Sequence, residues 1–407
     1  MVYVLGQNNL PLMPTDNYRK VRLLLKEKKA VVVKRTPFTI KLLHCTNVYK
    51  QNISLGIDPG SKSIGLSATT SNKEIFAGTV ILRNDVTKLI STRKEHRLSR
   101  RSRKTRYRKE RFLNRTKNQK PGWIPPTYRQ KLDVHLKIIN MIKSILPITN
   151  LCLELTVFDT ALEPTKCSTF RRSVLIRDNY ECQYCHGSSG DKTLQIHHIE
   201  TRQTGGNSFG NLITLCKTCH AKYHRGEIDI SQTRTKSLRH ESFMNILNTR
   251  LDKYLKLEGY DNIDITNGLN TYNTRIKYNL PKDHSVDARC ISGNPLAIMC
   301  DHFYIFRSVR RRNRRIHKDT IQKGGTRRLN QSPKYMFGFQ LYDKVHYKNE
   351  ELFIMSRRKD GRITLKTIGG KMRYESVSYK KLKFLEPRKA IIVARYTRNK
   401  LYLKGDF

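Results

Sequence analysis

Between Cys182 and His220 the chain carries two cysteine pairs and a run of histidines, and no other stretch limits its possible folds so tightly. It reads Cys182-x-x-Cys185, then Leu194-Gln195-Ile196-His197-His198-Ile199, Gly205-Gly206, Asn211-Leu212 and Cys216-Lys217-Thr218-Cys219-His220. Four thiolates are the ligand set of a closed tetrahedral zinc site, which clamps a fold and leaves no position open for a reagent. The spacing between the pairs leaves room for a β-hairpin. His197 and His198 are neighbours on one predicted strand, so their side chains face opposite sides or diverge at the strand end. One can hold a divalent metal while the other deprotonates water, the combination that phosphodiester cleavage needs. His220 opens or continues a helix that can return to the same metal. Asn211 is placed to fix the loop by side-chain hydrogen bonds to backbone. His186 and His224 are read as surface residues, His224 with a lesser prospect of touching a phosphate.

The rest of the composition says what such a centre would act on. Lys and Arg total 80 against 33 Asp and Glu in 407 residues, a formal charge of +47. A field of that size repels itself and calls for a polyanion. A membrane surface is the weaker partner, because no apolar run approaches the ~18 residues of a spanning helix. The start of the chain lacks a basic stretch followed by an apolar one, so no secretory leader is expected. Of the 9 cysteines, Cys45, Cys152, Cys167, Cys290 and Cys300 are scattered singly, which points to a reducing compartment and thiolate–metal chemistry in place of disulfides. Frequent Tyr, Asn, Ile and Lys hint at an AT-rich genome. The expected setting is a prokaryotic cytoplasm, with nucleoid association in use, or an organelle such as a plastid.

Apolar patterning divides the chain into pieces. Val2–Leu5, a helix over 18–28, and strands at Ala30–Val33 and Phe38–Leu42 make a small α+β module ending near Lys50. Strands follow at Ile53–Gly60, Ile64–Ala68 and Glu74–Val80. Arg93, Arg97, Arg100, Arg101, Lys104, Arg108 and Arg111 recur at three- and four-residue steps without Gly or Pro, predicting one long arginine-faced helix that grips nucleic acid. A helix at Tyr128–Leu146 leads into the strand Leu151–Leu155. A helical stretch lies near Ser237–Leu257, and a further basic run spans Arg310–Arg315. From Tyr335 short alternating segments, among them Ile363–Lys366 and Ala390–Ala394, predict a small β-barrel or sheet module. The stretch from Ser231 to Asn267 carries no motif.

Three carboxylates sit where apolar strands would bury them: Asp58 beside Pro59-Gly60, Glu154 within Leu151–Leu155, and Asp287 after His284-Ser285-Val286. A carboxylate there is costly unless paired or metal-bound. Converging, the three would hold two Mg²⁺ ions about 4 Å apart for in-line phosphoryl transfer. Taken singly, each is equally a strand-end cap or a surface ion pair. Asp283 is a poorer fit than Asp287 to the H-x-x-D pattern.

The His197-His198, Asn211, His220 pattern resembles the HNH nucleases with their ββα-metal core. That resemblance implies His198 as general base, Asn211 as the middle orienting residue, and His197 and His220 as ligands of a catalytic Mg²⁺. The order G-I-D-P-G, L-E-L, H-x-x-D resembles a split RuvC-like nuclease of RNase H fold, with Asp58, Glu154, His284 and Asp287 as its catalytic residues and the first, second and fourth of these holding Mg²⁺. With Pro11-Leu12-Met13-Pro14 and the arginine helix added, the chain resembles the IscB family of transposon-associated, RNA-guided endonucleases. The implied fold class is an α/β multidomain protein: an RNase H-like (RuvC) mixed sheet split by an arginine-rich bridge helix and by an inserted ββα-metal HNH domain with a four-cysteine zinc site.

The implied divisions are a PLMP-type module over 1–50, RuvC-like parts over 51–88, 119–163 and 229–315, a bridge helix over 89–118, an HNH domain over 164–228 and a small β-rich C-terminal module over 316–407. That last module would read a short DNA motif, with Arg357, Arg358, Lys359 and Arg362 as candidates. A guide RNA and a double-stranded DNA target are the implied partners, in a monomeric ribonucleoprotein whose HNH site cuts the guide-paired strand and whose RuvC-like site cuts the displaced one. Two other readings stay open: a guide-independent HNH homing or nicking enzyme, and a non-catalytic nucleic-acid-binding protein that keeps a zinc knuckle.

Overall fold

The computed structural model describes residues 1–46, 49–101, 122–155, 174–175, 177–200, 211–230, 239–260, 262–310 and 333–398. The chain divides into two compact units, Met1–Leu155 with Leu251–Phe407, and Thr156–Arg250. Of the expected positions, Lys104, Arg108, Arg111 and Cys167 lie outside the described residues, as do the side chains of Arg100 and Arg101.

The first unit begins with a four-stranded sheet, β1 (Val2–Leu5), β2 (Pro11–Thr15), β3 (Ala30–Lys34) and β4 (Thr39–Leu42), in the order β2-β1-β4-β3. Pro11-Leu12-Met13-Pro14 forms the outer strand β2, where a residue without an N–H is tolerated. Helix α1 (Tyr18–Lys26) starts at Asn17, whose side chain accepts from the Lys20 N–H at 2.9 Å. Its Val21 packs with Val2, Val4, Ala30, Ile40 and Leu42 into a small core.

Next come β5 (Ser54–Pro59), β6 (Ser63–Thr69) and β7 (Glu74–Ile81), an antiparallel meander buried along most of its length. Helix α2 runs over Val86–Arg101, starting seven residues before the expected Arg93. Helix α3 (Pro126–Lys143) returns the chain to β8 (Asn150–Glu154), which lies parallel to β5. The second unit then contributes β9 (Leu194–His198), β10 (Leu212–Cys216) and α4 (Lys217–His224), and α5 (Arg239–Leu257) carries the chain out of it. Back in the first unit, β11 (Ile263–Thr266) adds to β8, so the unassigned stretch up to Asn267 supplies a helix and an edge strand. Helices α6 (Gly268–Lys277) and α7 (His284–Ile291) lead to β12 (His302–Ser308), parallel to β7.

The tail holds β13 (Lys344–Tyr347), β14 (Glu350–Arg357), β15 (Arg362–Lys366), β16 (Met372–Ser378) and β17 (Lys383–Glu386), an antiparallel sheet over Val345, Leu352, Ile354, Ile363, Leu365 and Val377. The last strand, β18 (Ile391–Thr397), does not belong to it. It pairs with β12 and completes a seven-stranded mixed sheet, β11-β8-β5-β6-β7-β12-β18, where Ile392 and Ala394 pack on Phe303 and Ile305. The alternation of Ala390–Ala394 foretold a strand; it could not tell which sheet would bury it.

Helix α7 lies directly on β5 and β6 because two glycines let it. A Cβ on Gly56 would stand 1.9 Å from the Ala288 carbonyl oxygen, and one on Gly65 1.9 Å from that of His284. Gly65 faces Asp58 across the β5–β6 ladder, so this close approach also sets the helix beside Asp58. Gly65→Ala should therefore push α7 off the sheet and lower stability by about 1–3 kcal/mol. Calorimetry of the full chain checks this, and an unchanged Tm would mean that the contact is not tight.

Candidate metal centres and the acidic cluster

In the second unit the β9–β10 hairpin pairs His198 with Leu212, His197 with Ile213 and Leu194 with Cys216. Cys216 ends β10 and caps α4, its sulfur accepting from the Cys219 N–H at 3.4 Å. The Cys182–Cys185 turn is tied to the same strand: the Gln183 N–H donates to Thr214 O at 2.9 Å. Beneath it, Asp178 accepts from the Thr214 N–H at 3.0 Å and from Arg177 at 2.6 and 2.7 Å, a pair only 4% and 7% exposed. These ties bring the sulfurs of Cys182, Cys185, Cys216 and Cys219 within 4.8 Å of one another. The Ser189 hydroxyl stands 3.3 Å from Cys185 and 3.1 Å from Cys216, and it draws the Cys185 thiol down to about 6. Burial pushes the Cys182 and Cys219 thiols up, so four thiolates here need a cation. Zinc fits that demand.

A second cluster stands on α4. His197 Nδ1 is 3.0 Å from His220 Nε2, and the His224 ring lies 5.2 Å from His197 and 4.6 Å from His220. One nitrogen from each of the three falls within 4.8 Å of the others. His224 was expected at the surface, and although exposed it is the third member of this group. The signal was present as His220-x-x-x-His224, one helical turn on a common face. Burial, then the neighbouring imidazoles, lower His197 to about 4, and burial also lowers His220. Neutral rings keep lone pairs for a metal. Three imidazoles, which no carboxylate joins among the described residues, suit zinc and similar transition ions, whereas magnesium prefers oxygen. The magnesium expected at His197 and His220 therefore does not match the donors.

His198 follows His197 as the last residue of β9, paired with Leu212, where successive side chains of a strand alternate in direction. Asn211 closes the loop between the hairpin strands: Oδ1 accepts from the Glu200 N–H at 2.7 Å, Nδ2 donates to Glu200 O at 2.9 Å, and the Ile199 N–H donates to Asn211 O at 2.8 Å. His186 is a turn residue at φ +46°, 3.7 Å from Glu181, as expected of a surface position.

The acids are arranged differently. Asp58 and Glu154 lie one step beyond the Ile57–Leu153 pair, at the carboxyl ends of the parallel neighbours β5 and β8. Asp283 caps α7, its side chain accepting from the Ser285 N–H at 2.8 Å, which leaves His284 and Asp287 one turn apart on the helix. His284 Nδ1 is 2.7 Å from Asp58 Oδ2, and its Nε2 is 2.7 Å from Ser63 Oγ. Arg275 Nε on α6 is 3.1 Å from Asp287 Oδ1. Burial, then the Asp58 charge, raise the Asp287 carboxyl against the opposing pull of Arg275. Among the described residues the cysteines and the histidines are the groups that bring three ligand atoms within 4.8 Å; Asp58, Glu154 and Asp287 do not close to that distance. Sequence reasoning passed over Ser63 and Arg275, which carry no motif.

Arg93 and Arg97 lie on α2. Arg357 is turned inward, donating to the backbone oxygens of Lys334, Phe339 and Pro333 at 2.6, 2.6 and 3.2 Å, while Arg358, Lys359 and Arg362 remain exposed at the β14–β15 turn. No helix among the described residues is long and apolar enough to cross a membrane.

Two measurements test these centres. Cys216→Ala removes a ligand and the α4 cap together, so bound zinc, read by mass spectrometry of the purified chain, should fall to background. The hydrogen bond to Asp58 holds His284 above the ordinary 6.5. The pair then stabilises the fold fully below the unfolded-state value and loses that contribution as pH rises through the higher folded value. Asp58→Asn should shift the His284 titration downward in NMR; an unmoved curve would assign the shift to something other than Asp58.

Residues 2–168 match the RRXRR protein family and residues 182–226 match the HNH endonuclease family. A stretch of 72 residues, 17% of the chain, is 31% identical to Anaredoxin of Nostoc sp. (strain PCC 7120) and covers 92% of that protein. An RRXRR region followed by an HNH endonuclease domain and its four-cysteine cluster makes this chain a member of the IscB-like family.

Proposed function

We propose that the chain is an RNA-guided DNA endonuclease of the IscB type, in which the HNH site cuts the guide-paired strand and a RuvC-like site cuts the displaced strand. What supports this reading most is the hairpin and helix that gather His197, His220 and His224, with His198 next to His197 on β9. In this reading the three imidazoles hold a divalent transition ion, and Asp58, Glu154 and Asp287 hold Mg²⁺. Such ions neutralise the leaving oxyanion in phosphodiester hydrolysis.

The chain's own residues supply the rest. His198 takes the proton of the attacking water. Asn211 keeps the loop behind it closed. At the second site His284, oriented by Asp58 on one nitrogen and Ser63 on the other, handles the corresponding proton. The mixed seven-stranded sheet, with Asp58 and Glu154 at neighbouring strand ends, supports the RuvC-like reading. The 1–50 module, helix α2 with Arg93 and Arg97, the further basic residues Arg100, Arg101, Lys104, Arg108 and Arg111, and the exposed basic turn at Arg358, Lys359 and Arg362 would contact RNA and DNA backbones. A large polyanion also suits the +47 charge.

A guide-independent nicking enzyme is the second reading, favoured by the compactness of residues 156–250 as a unit of their own. Sequencing of RNA that co-purifies from the native host separates the two. A discrete structured RNA with a variable segment supports guidance, and random fragments would sink it. On a plasmid target carrying the matching sequence, His198→Ala should leave displaced-strand nicks and Asp58→Ala guide-paired-strand nicks. Loss of both cuts from either single change in a folded chain would refute the two-site assignment.

A further inference from the structure

We propose that Arg275 is a positioning residue of the carboxylate centre: it occupies Asp287 until a divalent ion replaces it there and a phosphate of the bound strand takes up the freed guanidinium. This rests on reading Asp58, Glu154 and Asp287 as a metal site. Arg275 Nε lies 3.1 Å from Asp287 Oδ1, with the two side chains only 12% and 17% exposed. Neither of these two buried atoms has a hydrogen-bond partner, so the contact is one of charge without directional bonding. Such a pair exchanges partners more readily than a bidentate one, which would lock both planes together.

The surroundings give the guanidinium somewhere to go. Its carbon lies 5.5 Å from the ring centre of Tyr272, one turn earlier on α6, a residue that is 52% exposed. The side chain thus has Asp287 on its buried side and an accessible aromatic face near solvent. Asp58 already has His284 as its cation at 2.7 Å. Asp287, left without Arg275, would keep only His284 to set against its burial and the Asp58 charge, a state that is disfavoured. Arrival of an ion and departure of Arg275 are therefore linked, and the departing guanidinium matches a phosphate in charge and shape. Linkage then requires that whatever draws Arg275 away tightens metal binding by the same factor. Nucleic acid on the guanidinium and metal on the carboxylates would reinforce one another.

Mn²⁺ binding to the full chain, followed by electron paramagnetic resonance without nucleic acid, tests this. His197, His220 and His224 are first changed to Ala so that the imidazole cluster does not contribute. Arg275→Gln should then raise Mn²⁺ affinity about tenfold over the parent, within the usual range of coupling. Equal or weaker binding overturns the proposal. Arg275→Met, which keeps the apolar stem, carries the same expectation if the Gln variant melts early. Adding Asp58→Asn should abolish the gain; Mn²⁺ affinity indifferent to Asp58 in every background would instead discard the carboxylate metal site itself.

Discussion

Groups of like character crowded into poorly solvated places are tolerable only when something of opposite charge joins them, and this constraint shapes both units. Four sulfurs, three imidazoles and a set of carboxylates each raise their own cost by proximity. The effect shows in the protonation of the side chains: buried cysteine thiols are driven up, His197 is driven down, and Asp287 is raised by burial and by Asp58. The acids differ from the other two clusters in having protein cations at hand. Asp58 has His284 and Asp287 has Arg275, so this centre is compensated from within.

Backbone geometry makes these encounters possible. Gly56 and Gly65 remove the side chains that would keep α7 away from β5 and β6, and without that approach His284 could not reach Asp58. Cys216 plays the equivalent part in the other unit. As the last residue of β10 and the cap of α4, it fixes the turn that carries His220 and His224 back over His197. At Cys216 the chain passes directly from strand to helix, where the side-chain repeat changes from two residues to 3.6.

Much of this was legible in the sequence. Apolar runs located β5, β6, β7 and β8, the cysteine spacing left room for a hairpin, and the helix through Tyr18–Lys26 announced itself by its pattern. What escaped was whatever depends on a partner distant in sequence. His224 looked like a surface residue because its neighbours on the chain are polar, and only the return of α4 to β9 brings it to His197. β18 reads as one more strand of the tail, yet it finds its ladder on β12, some ninety residues earlier. Arg357 looked like a free cation for nucleic acid, but three backbone carbonyls already claim it. Asp283 and Asp287 are near neighbours with the same side chain, and the helix start separates them: one caps α7, the other faces Arg275.

The three clusters also differ in donor element, and that difference has consequences. Sulfur at Cys182, Cys185, Cys216 and Cys219 favours zinc, and nitrogen at His197, His220 and His224 favours a borderline transition ion; oxygen, the donor that Asp58, Glu154 and Asp287 offer, is the one magnesium and manganese prefer. An ion well suited to one set is poorly suited to the others, so the centres need not compete for a common metal. The cysteine set is complete with four ligands and has no place for water, whereas three imidazoles leave positions open. A closed and an open ligand set thus stand side by side within one hairpin and helix, distinguished by donor chemistry and by the number of ligands each supplies.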